Sequence, residues 1–316
     1  MQPAKYDLSV LINFFARPNT LKDVFEQVKK ARPARLFLSC DGPRDNVPTE
    51  RERVEECKKI VSDIDWDCQV YTHYSEVNLG CGKGPESAIS WAFEHTDELV
   101  ILEDDCVPDD TFFPYMQELL ARYRNDTRVG MISGLNHFYE WDCGGNSYCF
   151  TKYGAIWGWG TWKRVWDNYD FYVKDIKNEY YRRLLEADIS NTKARKERIG
   201  SWLHAAAETP HKKVNYWDIQ FGFVKYSQSY LCIVPKNNLI YNIGVGLGST
   251  HTESNKAVNW KPGQILFMPT KGLDFPLVHP KYVICDRNYD DICANKILYR
   301  SFFKKVINKL KRMLKK

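Results

Sequence analysis

The segment Leu99-Val100-Ile101-Leu102-Glu103-Asp104-Asp105 sets three adjacent carboxylates directly behind four apolar, strand-type residues. Like charges this close repel, and a strand end tolerates them only with a counter-cation or full solvation. Hard cations such as Mn²⁺ or Mg²⁺ take oxygen ligands and commonly bind through one or two carboxylates together with substrate phosphates. A solvated acidic turn is the competing account. The second segment of interest is Asn78-Leu79-Gly80-Cys81-Gly82-Lys83-Gly84-Pro85. Its glycines precede a helical pattern, so backbone amides could approach an anion there, with Lys83 adding positive charge. It matches neither the P-loop nor the dinucleotide fingerprint. A surface loop is the alternative.

Other candidates also follow strand-like runs. Arg17, in Phe15-Ala16-Arg17-Pro18, suits a phosphate clamp, and Asp41, in Cys40-Asp41-Gly42, suits a hydrogen bond to a nucleobase or ribose. Either would serve equally as a cap or turn residue. Aromatics alternate with glycines in Trp157-Gly158-Trp159-Gly160, so Trp157 and Trp159 suit a flat wall against a sugar ring. Trp162 and Trp166, four apart, have the spacing of one packed helix face. Asp218, in Asn215-Tyr216-Trp217-Asp218, is a carboxylate among aromatics, a setting that desolvates and tunes a general base. Helix capping is its plainer role. His251, behind Gly246-Leu247-Gly248, is a candidate to reach a metal or a diphosphate.

The elements that would position these residues alternate along the chain. Strand-like runs at Leu8–Phe14, Arg35–Cys40, Gln69–His73 and Glu98–Leu102 are separated by helical patterns at Leu21–Lys30, Thr49–Asp63 and Pro85–His95. Asn19 or Thr20 is placed to cap the first helix. Such alternation predicts an α/β fold with parallel βαβ units and helices on both faces of the sheet. Ligands of such sheets gather at the carboxyl ends of the strands, where several of the candidates above lie. Residues 170–214 read as charged helices.

Taken in order, these motifs resemble the GT-A glycosyltransferases, in particular N-acetylglucosaminyltransferase I and its relatives and the family 2-like bacterial enzymes. The resemblance runs from about Leu8 to His251 and is most specific over Val100–Asp105 followed by Pro108-Asp109 and Phe112-Phe113. It implies a Rossmann-like, mostly parallel mixed sheet over residues 1–290. About 1–130 would form the nucleotide-sugar-binding half and about 131–290 the acceptor-binding half. It further implies inverting transfer from a nucleotide diphosphate sugar, such as a UDP-sugar, to a glycan or lipid-linked glycan acceptor. In that scheme Asp105 holds Mn²⁺ or Mg²⁺, Glu103 and Asp104 face the ribose and sugar, Asp41 faces the base, and Asp218 takes the acceptor's proton. The family's Trp-Asp-Asp-Trp reads Trp217-Asp218-Ile219-Gln220 here. The second acid is missing, and Glu208 is the other candidate base.

Composition narrows the class. The chain is 316 residues with 44% hydrophobic and 27% charged residues, which is globular and long enough for a large core. Its net charge of +5 is uneven, because nine Lys/Arg and no acid lie from Lys296 onward. The rest carries 36 basic against 40 acidic residues, about −4, which argues against a nucleic-acid partner. Residues 296–316 place apolar and basic side chains at helical spacing, the pattern of a C-terminal amphipathic helix on an anionic membrane surface. A helix docked on the body is the plainer alternative. No run is apolar enough to span a bilayer, no export signal is visible, and the ten cysteines have no disulfide-framework spacing. The expectation is therefore a cytoplasmic protein, peripheral at the inner face of the plasma membrane. Two rival functions stay open. One is a sugar-1-phosphate nucleotidyltransferase, although its glycine-rich first loop is absent at Asn13–Pro18; the other is a non-catalytic carbohydrate-binding scaffold.

Overall fold

The structure is a computed structural model that describes residues 1–211, 214–244 and 264–295. His251 and the basic segment 296–316 lie outside the described residues.

The first half builds strands and helices in turn. They are β1 (Tyr6–Phe14), α1 (Pro18–Ala31), β2 (Pro33–Cys40), α2 (Thr49–Val61), β3 (Gln69–Tyr74), α3 (Gly80–Ala92) and β4 (Glu98–Glu103). A short strand β5 (Cys106–Pro108) and helix α4 (Phe112–Tyr123) lead to β6 (Val129–Ser133), β7 (Tyr148–Thr151) and β8 (Trp159–Trp162). Helices α5 (Lys163–Trp166), α6 (Glu179–Asp188), α7 (Thr192–Glu208) and α8 (Asp218–Ser227) follow. Strands β9 (Leu231–Pro235) and β10 (Ile240–Asn242) and helix α9 (Arg287–Cys293) complete the described elements.

Eight strands form one mixed sheet in the order β3-β2-β1-β4-β8-β6-β9-β7, and β10 pairs with β5 in a small second sheet. The run β3-β2-β1-β4 is parallel throughout, whereas β8 is antiparallel to both β4 and β6. The fold class is thus α/β, a mostly parallel mixed sheet flanked by helices. The chain builds outward from β1 to β3, then returns to place β4 on the other side of β1. This reversal opens a crevice at the carboxyl ends of β1 and β4, where such sheets bind ligands. Register aligns the two strand ends, Ile12 with Leu102 and Asn13 with Glu103, so residues 15–17 face residues 104–105.

Burial explains why these strand ends are rigid. Leu99, Val100, Ile101 and Leu102 are all at most 2% exposed, as are Leu8 and Val10–Ile12. Each such side chain is worth roughly 2 kcal/mol of burial, so the acids behind β4 cannot retreat to solvent without dragging out core. On α1 the buried residues are Leu21, Val24, Phe25, Val28 and Ala31, the one-face spacing of an amphipathic helix. The helix starts at Pro18, three residues before the sequence reading, because proline's fixed φ suits a first turn. A second apolar cluster, including Val173, Leu185, Trp202 and Tyr289, packs beneath α6, α7, α8 and α9. Trp162 and Trp166 are buried as expected, but on strand β8 and helix α5 and not on one helix face.

The segment read as a glycine-rich loop is helical: Gly80–Gly84 form the opening turns of α3, with Pro85 inside it. Gly80 has φ +76, and a side chain on it would meet Asn215 Oδ1 at 2.8 Å. The positive φ and the close approach of Asn215 explain that glycine.

Candidate active site

The turn from β1 into α1 and the turn from β4 into β5 meet at the β1/β4 crevice. Ala16 adopts a left-handed φ of 45°, which bends the chain so that the Phe15 amide and the Arg17 guanidinium converge on one acid. The Phe15 N–H donates to Asp104 Oδ2 at 3.0 Å, and Arg17 Nε donates to the same oxygen at 3.2 Å. Arg17 also pairs with Asp104 Oδ1 through Nη2 and reaches Asp105 Oδ2 through Nη1 at 2.9 Å. The counter-cation that the sequence demands for these acids is therefore supplied first by the chain itself. Burial works against the Arg17 charge, but Asp104 and Asp105 outweigh it and raise its pKa. Arg17 and Asp104 are thus paired with each other, where the sequence reading gave them separate roles toward phosphate and sugar.

Asp105 is pinned from the other side as well. Its Oδ1 accepts from Asn242 Nδ2 and from the Cys106 thiol, each at 3.3 Å. A side chain at Gly244 would meet Asp105 Oδ2 at 2.0 Å, so only glycine fits there. Glu103, half-buried at the end of β4, has its pKa pushed up to about 8 by burial and by Asp105 and Asp104, with Arg17 opposing. Donor atoms of Glu103, Asp105 and Cys106 lie within 4.8 Å of one another. The two carboxylates suit Mn²⁺ or Mg²⁺. The Cys106 thiol is held far above its ordinary pKa by burial and by Asp105, and it donates to that carboxylate. Glu103, first assigned to the sugar, thus joins Asp105 as a metal-ligand candidate.

Asp41 lies at the crevice rim with its carboxylate already in use. Its Oδ1 accepts the N–H groups of Gly42 and Leu79, and its Oδ2 accepts that of Gly80. The Gly82 N–H donates to Asn215 Oδ1 at 3.2 Å. The helix start expected to cradle an anion is therefore satisfied by the chain's own side chains. Burial raises the Asp41 pKa, and the three amides oppose it. Lys83 does not line the crevice: it pairs with Glu86 at 3.1 Å and covers the Phe171 ring at 4.0 Å.

The aromatic pair divides. Gly158, with φ +59, reverses the chain between Trp157, which faces the crevice, and Trp159, which is fully buried. Trp159 stacks on Trp217 at 5.8 Å and packs at a tilt against Phe221 at 4.8 Å, so it is core and not a sugar platform. Asp218 is the first residue of α8 and is exposed, which corrects the expectation of a desolvated carboxylate. Glu208 lines neither of the cavities described next.

Two cavities meet at Asp218. One, of about 420 Å³, is the β1/β4 crevice with Arg17, Asp41, Glu103 and Asp104 on its wall. The other, of about 380 Å³, runs between α7 and α8 and is lined by His137, Arg198, Trp202 and Lys225. Ile156, Trp157 and Asp218 line both. Sequence reasoning missed the second cavity's cations. It also missed Arg44 and Arg53 beside the buried Glu50 on the crevice wall. Glu50's burial opposes its charge, yet Arg44 holds its pKa below the ordinary value. No local motif marks these residues; they are scattered charges until the fold gathers them.

Compared by sequence, the chain matches no protein family and no curated protein. Among solved structures it is similar to a UDP-glucose pyrophosphorylase complexed with UDP-glucose. The TM-score is 0.38 with 9% identity, over 74% of this chain and 92% of that one. It is also similar to a cytidylyltransferase from Leptospira borgpetersenii serovar Hardjo-bovis. There the TM-score is 0.30 with 13% identity, over 67% of this chain and 75% of that one. Likenesses this distant assign no activity.

Proposed function

We propose that this chain is a metal-dependent glycosyltransferase that moves a sugar from a nucleotide diphosphate sugar, such as a UDP-sugar, to a glycan acceptor. The observation that carries this reading is the position of Asp218 between two cavities, beside Trp157. An inverting transfer needs a base beside the acceptor hydroxyl at the point where acceptor and donor meet, and a carboxylate shared by two cavities has that position. The donor occupies the β1/β4 crevice and the acceptor the α7/α8 cavity. Glu103 and Asp105 would hold Mn²⁺ or Mg²⁺, which supplies charge neutralisation for the leaving diphosphate. Arg17 pairs with both Asp104, on the crevice wall, and Asp105. Asp218 takes the proton of the acceptor hydroxyl as its oxygen bonds to the anomeric carbon and the bond to the diphosphate breaks.

The rival reading is a sugar-1-phosphate nucleotidyltransferase, the broader reaction class of the two similar structures. The products separate them. A screen of nucleotide sugars with Mn²⁺ and glycan acceptors should release nucleoside diphosphate, and Asp105→Ala should abolish it. Pyrophosphate release from a nucleoside triphosphate and a sugar 1-phosphate, without the first activity, would reject the glycosyltransferase reading. Metal-independent nucleotide affinity would favour a scaffold.

The segment 296–316 belongs to the same reading as a helix on an anionic membrane, bringing the site to lipid-linked acceptors. Among the described residues no helix is long and apolar enough to cross a membrane. Deleting residues 297–316 should abolish co-sedimentation with anionic liposomes and keep the thermal midpoint; equal sedimentation of both proteins rejects the anchor.

A further inference from the structure

The α7/α8 cavity sets two cations, Lys225 and Arg198, on a wall that also carries the carboxylates of Glu197 and Asp218. Lys225 is 7% exposed. Its ammonium finds the Gly154 carbonyl at 3.3 Å and the soft Met131 sulfur at 3.8 Å, with the Cys232 thiol also nearby. An ammonium has three donors and needs strong acceptors when buried. Arg198 lies with its guanidinium against the rings of Tyr153 at 4.5 Å and Tyr226 at 4.8 Å, and its buried Nε has no hydrogen-bond partner. Among the described residues neither cation forms an ion pair with a carboxylate.

Burying a cation without an ion pair is costly, and here Tyr226, Tyr153 and Glu197 favour the Arg198 charge and Asp218 that of Lys225 without an ion pair to either. The strain is visible in their neighbours: burial, Lys225 and Arg198 together push the His137 pKa down to about 4. The Lys225 pKa is itself lowered by burial and by Arg198. Helix geometry presents these groups together. Asp218, Gly222 and Lys225 fall on one stripe of α8, and Arg198, Ser201 and Trp202 on one stripe of α7. Gly222, without a side chain, leaves room between Asp218 and Lys225. Seven residues of helix put Lys225 about 10 Å along the axis from Asp218.

We infer that the acceptor carries an anionic group, a carboxylate or a phosphate on its sugar, that Lys225 and Arg198 bind away from the reacting hydroxyl. This inference rests on the glycosyltransferase reading for the word acceptor, but the anion site is tested without nucleotide. Trp157 and Trp202 line the cavity and report by fluorescence. The full chain is titrated with glucuronate, glucose 6-phosphate and glucose at constant ionic strength, which keeps surface screening equal. At least one anionic sugar should bind about tenfold or more tighter than glucose, as expected for charge-assisted hydrogen bonds. Which anion wins identifies carboxylate or phosphate. Lys225→Met and Arg198→Gln should each erase that preference, leave glucose binding unchanged, and keep UDP affinity in Mn²⁺. Thermal midpoints show that each variant is folded, and Arg198→Lys, which keeps the charge, should retain part of the preference. Equal binding of all three sugars, or a preference that survives both substitutions, overturns the inference. Loss of UDP binding in the wild type with the anion preference intact would instead overturn the nucleotide-sugar reading alone.

Discussion

Arg17 is the residue on which the acidic strand end depends. It is 24% exposed at its side chain and binds Asp104 and Asp105 at once. Removing one partner of a largely buried pair costs about 3 kcal/mol, so Arg17→Met should lower stability to chemical denaturation by about that much. Mn²⁺ should restore part of the loss, because a divalent cation replaces the missing positive charge. A loss that Mn²⁺ leaves untouched would remove Glu103 and Asp105 as its ligands. Asp218 makes a contrasting prediction. Asp218→Asn should cut kcat about 100-fold or more while leaving UDP affinity within about twofold, as measured by steady-state kinetics and equilibrium binding. The acids, Arg17 and Asp218 were legible in the sequence because each directly follows a strand or opens a helix. Their partnerships were not, since Arg17 and Asp104 are 87 positions apart along the chain.

At the scale of elements, the turn after β10 limits the proposed metal site. Gly244 presses so closely on Asp105 that Gly244→Ala must push the carboxylate out of place. Mn²⁺-dependent UDP affinity should then fall about tenfold or more, since a ligand displaced by a fraction of an ångström loses coordination, with the thermal midpoint less affected. Equal metal-dependent affinity in the variant would show that Asp105 needs no fixed position. Strands β1 to β4 were legible from their apolar runs and the turns that bound them. The start of α3 was not, because glycine and proline signal a loop locally. Tertiary contacts overrode that signal: Asp41 and Asn215 accept the amides of its first turn and make a glycine-rich helix stable.

For the whole molecule, the second cavity sets an acid limit. His137 is held neutral in the fold by burial and by Lys225 on α8 and Arg198 on α7. Its Nδ1 lies 3.0 Å from the Tyr289 hydroxyl of α9. Its pKa falls from 6.5 to about 4 on folding. The unfolded chain therefore takes up a proton that the folded chain refuses, and stability present above pH 6.5 is lost as pH falls toward 4. Denaturation midpoints measured between pH 7 and pH 5 should show this decline, and His137→Gln should flatten it. A variant with the wild-type slope would assign the acid sensitivity elsewhere.

The sequence by itself determined the α/β alternation, the acids closing β4, and the position of Arg17 and Asp41 just past a strand, because apolar periodicity and chain polarity are local properties. Only the tertiary structure decided what those residues face. The return of the chain to place β4 beside β1 joined Arg17 to Asp104 and Asp105. The positive φ of Gly158 sent Trp159 into the core and left Trp157 at the cavities. The packing of α7 against α8 gathered Arg198 and Lys225, which no spacing in the chain connects. Contacts between residues distant in sequence are fixed by which surfaces bury together, and that is a property of the folded whole.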